Sequence, residues 1–159
     1  MRKNAITLAL SLLILVMMAM FFYSNMHAET DTPDKNQTWE SRSLDDIHVV
    51  RGVIYNWIKA WQSKDLDSYM SYYSPEFYSE KLDYQGWRRK KAILFKRPGL
   101  IFVEISNLLV FIENEEAKVS FVQEYTDARL SDVGEKSLRL RNSHGAWKIV
   151  SEKWQPLKR

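Results

Sequence analysis

Phe121, Gln123 and Tyr125 alternate along the chain, so they project to one face of a strand, where an amide and a phenol beside an aromatic ring suit a polar ligand. Trp57, Trp61, Tyr69, Tyr73 and Trp87 precede them and are candidates to line the same cavity, with stacking faces and hydroxyls for a glycan or a peptide. Trp57 and Trp61 sit on the main apolar stripe of a helix and read first as core. Gln123, Tyr69 and Tyr125 fit core and ligand contact equally well, because a buried polar side chain must find a partner and a ligand is one such partner.

Acid–base chemistry has one weak candidate. Glu152 shares the last apolar stretch with Val150 and Trp154, where a carboxyl in an apolar site has its pKa raised toward that of a general base. An ion-paired or solvated carboxylate is the plainer expectation. Asp65, Asp67 and Asp83 are accounted for by helix capping, and Glu124 points away from the face that carries Gln123. His27, His48 and His144 have no metal-like spacing, and the chain has neither a Gly-rich phosphate loop nor a serine elbow, so no metal and no cofactor is expected. With no cysteine, a disulfide framework, a thiolate zinc site, a cysteine nucleophile and a lipidated cysteine are all excluded for this chain.

Arg88, Arg89, Lys90 and Lys91, with Lys96 and Arg97 after them, place six positive charges on one helical stretch. At about 100° per residue they cannot share a face, so a solvated surface is the first reading. The functional reading is docking of Arg88, Arg89, Lys90 and Lys91 on anionic headgroups or an acidic envelope polymer.

These residues need a scaffold, and 159 residues allow one ordinary domain. The 45% hydrophobic share is uneven, because Ala5 to Tyr23 carries no charge and follows Arg2 and Lys3, the order of an export signal. Its 19 residues exceed a usual signal core of about 7–15 and approach the roughly 20 that span a bilayer. Residues 1–28 are therefore expected to be a signal peptide or a transmembrane anchor, with cleavage and retention evenly balanced. The rest is then exported across the inner membrane of a bacterium, either free in the periplasm or anchored and facing it. Residues 29–42 are polar, include Pro33 and are expected to be a flexible linker to a domain at 43–156. Arg2 and Lys3 belong to the 23 basic residues that oppose 20 acidic ones, so the part beyond residue 28 carries a net +1 and no nucleic-acid footprint.

Ser43 and Asp46 resemble a capping box, after which Ile47, Val50, Ile54, Trp57, Ile58 and Trp61 recur at helical spacing. Asp65 is expected to cap a short helix from Leu66 to Tyr72, Ser74-Pro75 to start a turn, and Asp83 to cap a helix from Tyr84 to about Lys96 with Trp87, Lys91, Leu94 and Phe95 on one side. The period then changes to two. Ile101, Val103 and Ile105 alternate, Leu108, Val110 and Ile112 alternate after a slip at Ser106-Asn107, and Ala117 to Tyr125, Lys136 to Arg141 and Ala146 to Trp154 supply three more strands. Breaks are expected at Glu113–Glu116, Ser131–Gly134 and Asn142–Gly145. The expected class is α+β, three helices packed on a curved four-stranded antiparallel sheet.

Trp57-Ile-Lys-Ala-Trp61, Lys64-Asp-Leu-Asp-Ser-Tyr69, Tyr72-Tyr73, Phe77, Trp87, Lys90-Lys91, Val119-Ser-Phe-Val-Gln-Glu-Tyr125, Lys136, Leu138 and Gly145-Ala-Trp-Lys-Ile149 together resemble the nuclear transport factor 2-like (SnoaL-like) family. The likeness is nearest to the version found beside L,D-transpeptidase domains and in other envelope proteins of Gram-negative bacteria. It covers roughly Leu44 to Trp154. The resemblance implies a cone with a cavity at its open end and frequent dimerisation through the sheet. Without a cysteine, transpeptidation by this chain is excluded. The function expected is a non-enzymatic exported or membrane-anchored envelope module that binds a ligand or protein partner through the cavity or the sheet face, with peptidoglycan or its enzymes as the candidate partner. The alternative is a small isomerase, dehydratase or cyclase acting on an apolar substrate.

Overall fold

The computed structural model describes residues 35–157. Three helices come first: α1 over Lys35–Gln62, α2 over Leu66–Ser71 and α3 over Tyr84–Phe95, with a two-stranded hairpin, β1 (Tyr78–Ser79) and β2 (Leu82–Asp83), between α2 and α3. Four long strands follow, β3 (Phe102–Glu113), β4 (Glu116–Thr126), β5 (Ser131–Ser143) and β6 (Ala146–Pro156), in an antiparallel meander of order β3-β4-β5-β6. The helices pack on one face of this sheet, the α+β arrangement expected. The apolar segment Ala5 to Tyr23 lies outside the described residues, and among the described residues no helix is long and apolar enough to cross a membrane.

The stripe on α1 is the backbone of the core. Val50, Ile54, Trp57, Ile58 and Trp61 are all buried, while Asn56 and Lys59 are exposed. Fully burying each large side chain stabilises by about 1.5–3 kcal/mol by area. The helix starts at Lys35, nine residues ahead of the start expected after Ser43, so Ser43 and Asp46 lie inside it and the second half of the expected flexible linker is helical. The physical reason is the lack of a breaker: no Pro or Gly stands between Lys35 and Arg51, and polar residues do not stop a helix by themselves.

The other two helix starts are as expected. Asp65 accepts from Ser68 N at 3.0 Å, and Asp83 accepts from Gly86 N at 2.7 Å. Asp83→Ala should lower stability by about 1 kcal/mol in urea unfolding, with the slope of the transition unchanged.

The sheet carries two bulges. In β3 the pairing slips between Ser106 and Leu109, with Asn107 at φ 55°, so Ile105 and Leu108 both face the helices. This is the slip read at Ser106-Asn107. In β6 the slip falls opposite Arg139 and Leu140, which pair with Ser151 and Ile149 and leave Val150 as the extra residue. One expected break was misplaced. Ser131–Gly134 is part of β5, and the reversal occurs at Asp127–Leu130, where Asp127 Oδ1 accepts from Arg129 N at 2.7 Å and from Leu130 N at 2.9 Å. The last hairpin turns at His144 and Gly145, both at positive φ (54° and 83°), with Asn142 Oδ1 accepting from Gly145 N at 2.9 Å.

Candidate functional site

The β6 bulge brings the chemistry inward. Trp147 and Ile149 face the core, and the extra residue at Val150 switches parity, so Glu152 and Trp154 face the core as well. On β5, Lys136 alternates with the buried Leu138 and Leu140 and pairs across from Trp154. Gln123 of β4 pairs with Gly134 of β5. A Cβ at Gly134 would lie 2.7 Å from the Trp154 ring, so the glycine is what lets that indole lie across the strand.

Glu152 is 3% exposed and fully engaged. Its Oε1 accepts from Lys136 Nζ at 2.6 Å, and its Oε2 accepts from the Tyr73 hydroxyl at 3.0 Å. Trp57 Nε1 donates to the Tyr73 oxygen at 3.1 Å. Since the one Tyr73 proton goes to the carboxylate, Tyr69, at 2.6 Å, donates to Tyr73. Burial alone would raise the Glu152 pKa, but the Lys136 and Lys91 ammoniums and the two hydrogen bonds hold it below the ordinary carboxylate value. The same burial, reinforced by the Glu152 charge, pushes Tyr69 and Tyr73 well above the ordinary phenol value. Glu152 is thus an ionised structural carboxylate and not the raised-pKa base considered from the sequence.

Lys91 is the odd group. It is 5% exposed, and its Nζ lies 4.4 Å from the Trp61 ring centroid, 4.8 Å from Trp87 and 5.3 Å from Tyr69. It forms no ion pair and no hydrogen bond with the described residues. Burial, aided by the Lys136 and Lys90 charges and opposed by Glu152, lowers its pKa from 10.5 to about 7. The ring faces favour the ammonium and work against that shift.

A consequence for stability follows from the sign. The folded chain releases the Lys91 proton near pH 7 and the unfolded chain near 10.5, so between these values the unfolded state holds more protons and stability rises with pH. Lys91→Met should stabilise the fold below neutral pH, by on the order of a few kcal/mol, and should flatten that rise. Urea midpoints from about pH 6 to 9 measure it.

Above this layer lies a cavity of about 250 Å³, with Trp61, Lys91, Gln123, Lys136, Glu152 and Trp154 among its walls. Four enclosed side-chain atoms among the described residues have no hydrogen-bond partner: Trp87 Nε1, Gln123 Oε1, Asp132 Oδ1 and Trp154 Nε1. All four belong to residues that line this one cavity. Trp87 Nε1 lies beside the Tyr69 and Tyr73 hydroxyls. An enclosed polar atom left unmatched costs about 1–3 kcal/mol.

Of the residues expected to line a cavity, Trp61, Trp87, Gln123 and Tyr125 do so. Trp57, Tyr69 and Tyr73 are buried behind the wall as its hydrogen-bonded support. Trp57 lies 5.3 Å from Trp61 and 5.8 Å from Tyr69, centroid to centroid. Of the expected docking set, Lys91 is buried, Arg88 pairs with Asp67 at 2.6 Å, Lys90 pairs with Glu80 at 2.6 Å, and Arg89 is exposed without an ion pair among the described residues. Helical geometry turns Lys91 onto the face of Trp87 and Phe95, away from Arg89 and Lys90. Sequence reasoning missed Lys136, Asp132, Gly134 and Trp154. Lys136 alone left a signal, a cation in phase with Leu138 and Leu140. No group of three or more acidic or histidine side chains fit for a metal occurs among the described residues.

Residues 49–153 match the profile of the Cds6 C-terminal NTF2-like domain. Among solved structures, Bd1075 of Bdellovibrio bacteriovorus superposes with TM-score 0.67 at 24% identity, over 70% of this chain and 40% of that one. The helical cell shape determining protein Pgp2 of Campylobacter jejuni superposes with TM-score 0.63 at 25% identity, over 69% of this chain and 40% of Pgp2. A candidate dehydratase of the NTF2-like family from Streptomyces avermitilis shares the fold, with TM-score 0.65 at 12% identity over 72% of this chain and 98% of its own. This chain therefore spans about two fifths of Bd1075 and of Pgp2. No curated protein matches it.

Proposed function

The chain belongs to the NTF2-like family, as a Cds6 C-terminal NTF2-like domain, and from that premise we propose that it is a non-enzymatic, exported module of the bacterial cell envelope that binds a polar ligand in the cavity beneath Trp154. One observation carries the reading. Lys91, 5% exposed and with neither an ion pair nor a hydrogen bond among the described residues, is a wall residue of that cavity. The envelope placement rests on Arg2, Lys3 and the uncharged run Ala5 to Tyr23, and it agrees with the likeness to a cell shape determining protein. Peptidoglycan is the polymer this placement points to.

An enzymatic reading cannot rest on Glu152. A carboxylate held low by two ammoniums and a phenol is a poor base and cannot act as an acid near neutrality. The volume of about 250 Å³ falls below the roughly 300–1,000 Å³ of pockets that enclose drug-sized ligands, so the occupant is small or the end of a longer molecule.

Co-sedimentation with purified sacculi tests the proposal. The chain should pellet with them, and Gln123→Leu should pellet less while retaining its circular dichroism. Pelleting no better than an unrelated protein of similar charge would overturn the envelope-polymer reading. Self-association through the outer sheet face is part of the same proposal, since Phe102, Leu109 and Phe111 are exposed there. Leu109→Lys should shift the sedimentation equilibrium toward monomer.

A further inference from the structure

Two cations around the cavity are engaged: Lys136 pairs with Glu152 at 2.6 Å and Lys90 with Glu80 at 2.6 Å. Lys91 has no such partner among the described residues. Its Nζ is also not one of the four enclosed unmatched atoms, so the amine opens onto the cavity that it helps to wall. An ammonium there holds three N–H donors against the faces of Trp61, Trp87 and Tyr69, and a ring face is a poor substitute for an oxygen acceptor. The cage suits a cation, but one with fewer N–H groups than an ammonium.

We propose that Lys91 captures a small aldehyde or ketone: its amine adds to the carbonyl carbon inside the cavity and water leaves, so that an iminium with a single N–H replaces the ammonium between the three rings. Atoms and charge balance without a co-reactant. Lys91 first releases a proton to water. The nitrogen lone pair forms the C–N bond as the carbonyl π pair moves to oxygen, and a proton passes from nitrogen to that oxygen. With one more proton from solvent the hydroxyl departs as water while C=N forms. One positive charge therefore faces Glu152 before and after. The volume of about 250 Å³ limits the partner to a small carbonyl compound. Burial supplies the nucleophile: with the Lys91 pKa lowered to about 7, roughly half of the amine is uncharged at neutrality, against less than about one part in a thousand for an exposed lysine. Glu152 of β6, Lys136 of β5, Lys90 of α3 and Glu80 of the β1–β2 turn set the field at Lys91, and Tyr69 of α2 faces it as a neutral ring. Asp132 of β5, Tyr125 of β4, Asp127 and Arg97 line the cavity beyond, and α1 adds Trp61. The capture is stoichiometric, one carbonyl per chain, and so goes beyond the binding reading without making the chain an enzyme.

The test is reductive trapping on the full chain. Acetaldehyde is supplied below one equivalent with excess cyanoborohydride, whose hydride reduces an iminium to a stable N-ethyl group, and peptide mapping locates the label and separates Lys91 from the α-amino group. At about pH 7, Lys91 should be labelled at least about tenfold faster than any exposed lysine. The ratio of Lys91 to exposed-lysine labelling should fall at least about tenfold by about pH 10, where exposed amines also lose their protons. In urea the preference should vanish, because the unfolded chain has no cage. Lys91→Met should lose the fast-labelled site and leave the exposed lysines unchanged. Labelling of Lys91 no faster than the exposed lysines at pH 7 overturns the inference, as does a preference that survives unfolding. An unreactive Lys91 leaves sacculus binding untouched, and sacculus binding can fail while Lys91 is labelled, so the two readings fall separately.

Discussion

Lys136→Met should destabilise the domain by about 3–5 kcal/mol, because it strands the Glu152 charge in a site that is 3% exposed. Folded domains are typically stable by only about 5–15 kcal/mol, so the variant should be close to unfolding in water. The double variant Lys136→Met/Glu152→Leu should recover most of the loss, since an apolar pair of similar volume removes the burial cost of both ions. A single-variant loss with recovery in the double identifies an ion pair whose breaking is costly and whose presence contributes little net stability. Urea unfolding of the three proteins decides it. The pH dependence has a definite sign: without Lys136, burial raises the folded pKa of Glu152 above its unfolded value, so Lys136→Met should gain stability as the pH falls from neutrality. The parent, whose Glu152 is held low, should lose stability as the pH falls through that folded pKa.

Gly134→Ala should be the most damaging small substitution on the sheet. The added Cβ would collide with the Gln155 carbonyl oxygen and stand 2.7 Å from two atoms of the Trp154 ring. A ring can swing aside, but the Gln155 oxygen is backbone of β6, so β5 and β6 must part locally. A cost of about 1–3 kcal/mol is expected for overpacking of this kind. The indole N–H resonance of Trp154 should move in the nitrogen–proton spectrum, and ligand binding should fall with it. Gly134→Ala/Trp154→Ala should recover only part of the stability, because the carbonyl contact persists. Full recovery would mean that the ring alone carries the strain.

These two positions show what could be read from the order of residues and what could not. The α1 stripe from Val50 to Trp61 was legible because a period of 3.6 admits one buried face. The β3 slip at Ser106-Asn107 was legible because apolar residues flank it in opposite phase and record the bulge. The β6 bulge was hidden, since Val150 continues an apolar run and shows no change of phase, and Glu152 and Trp154 could not be placed with Ile149. Ser131–Gly134 has turn-forming residues, yet Gly134 serves an indole and not a reversal. The run Arg88 to Lys91 looked like one feature because adjacent charges look alike in a string, while a helix sends neighbours about 100° apart.

The sequence alone determined the class of fold, the helix caps at Asp65 and Asp83, the inward stripe Phe121-Gln123-Tyr125 and the exclusion of cysteine chemistry, because each depends on residue type and local period. Only the tertiary structure decided that Glu152 is paired with Lys136 and that Lys91, in the wall of a cavity, is surrounded by three rings without an acceptor among the described residues. Whether a charge is satisfied is a property of what surrounds it in space, and Lys91, Lys136 and Glu152 come together from a helix and two strands whose positions in the chain carry no record of their meeting.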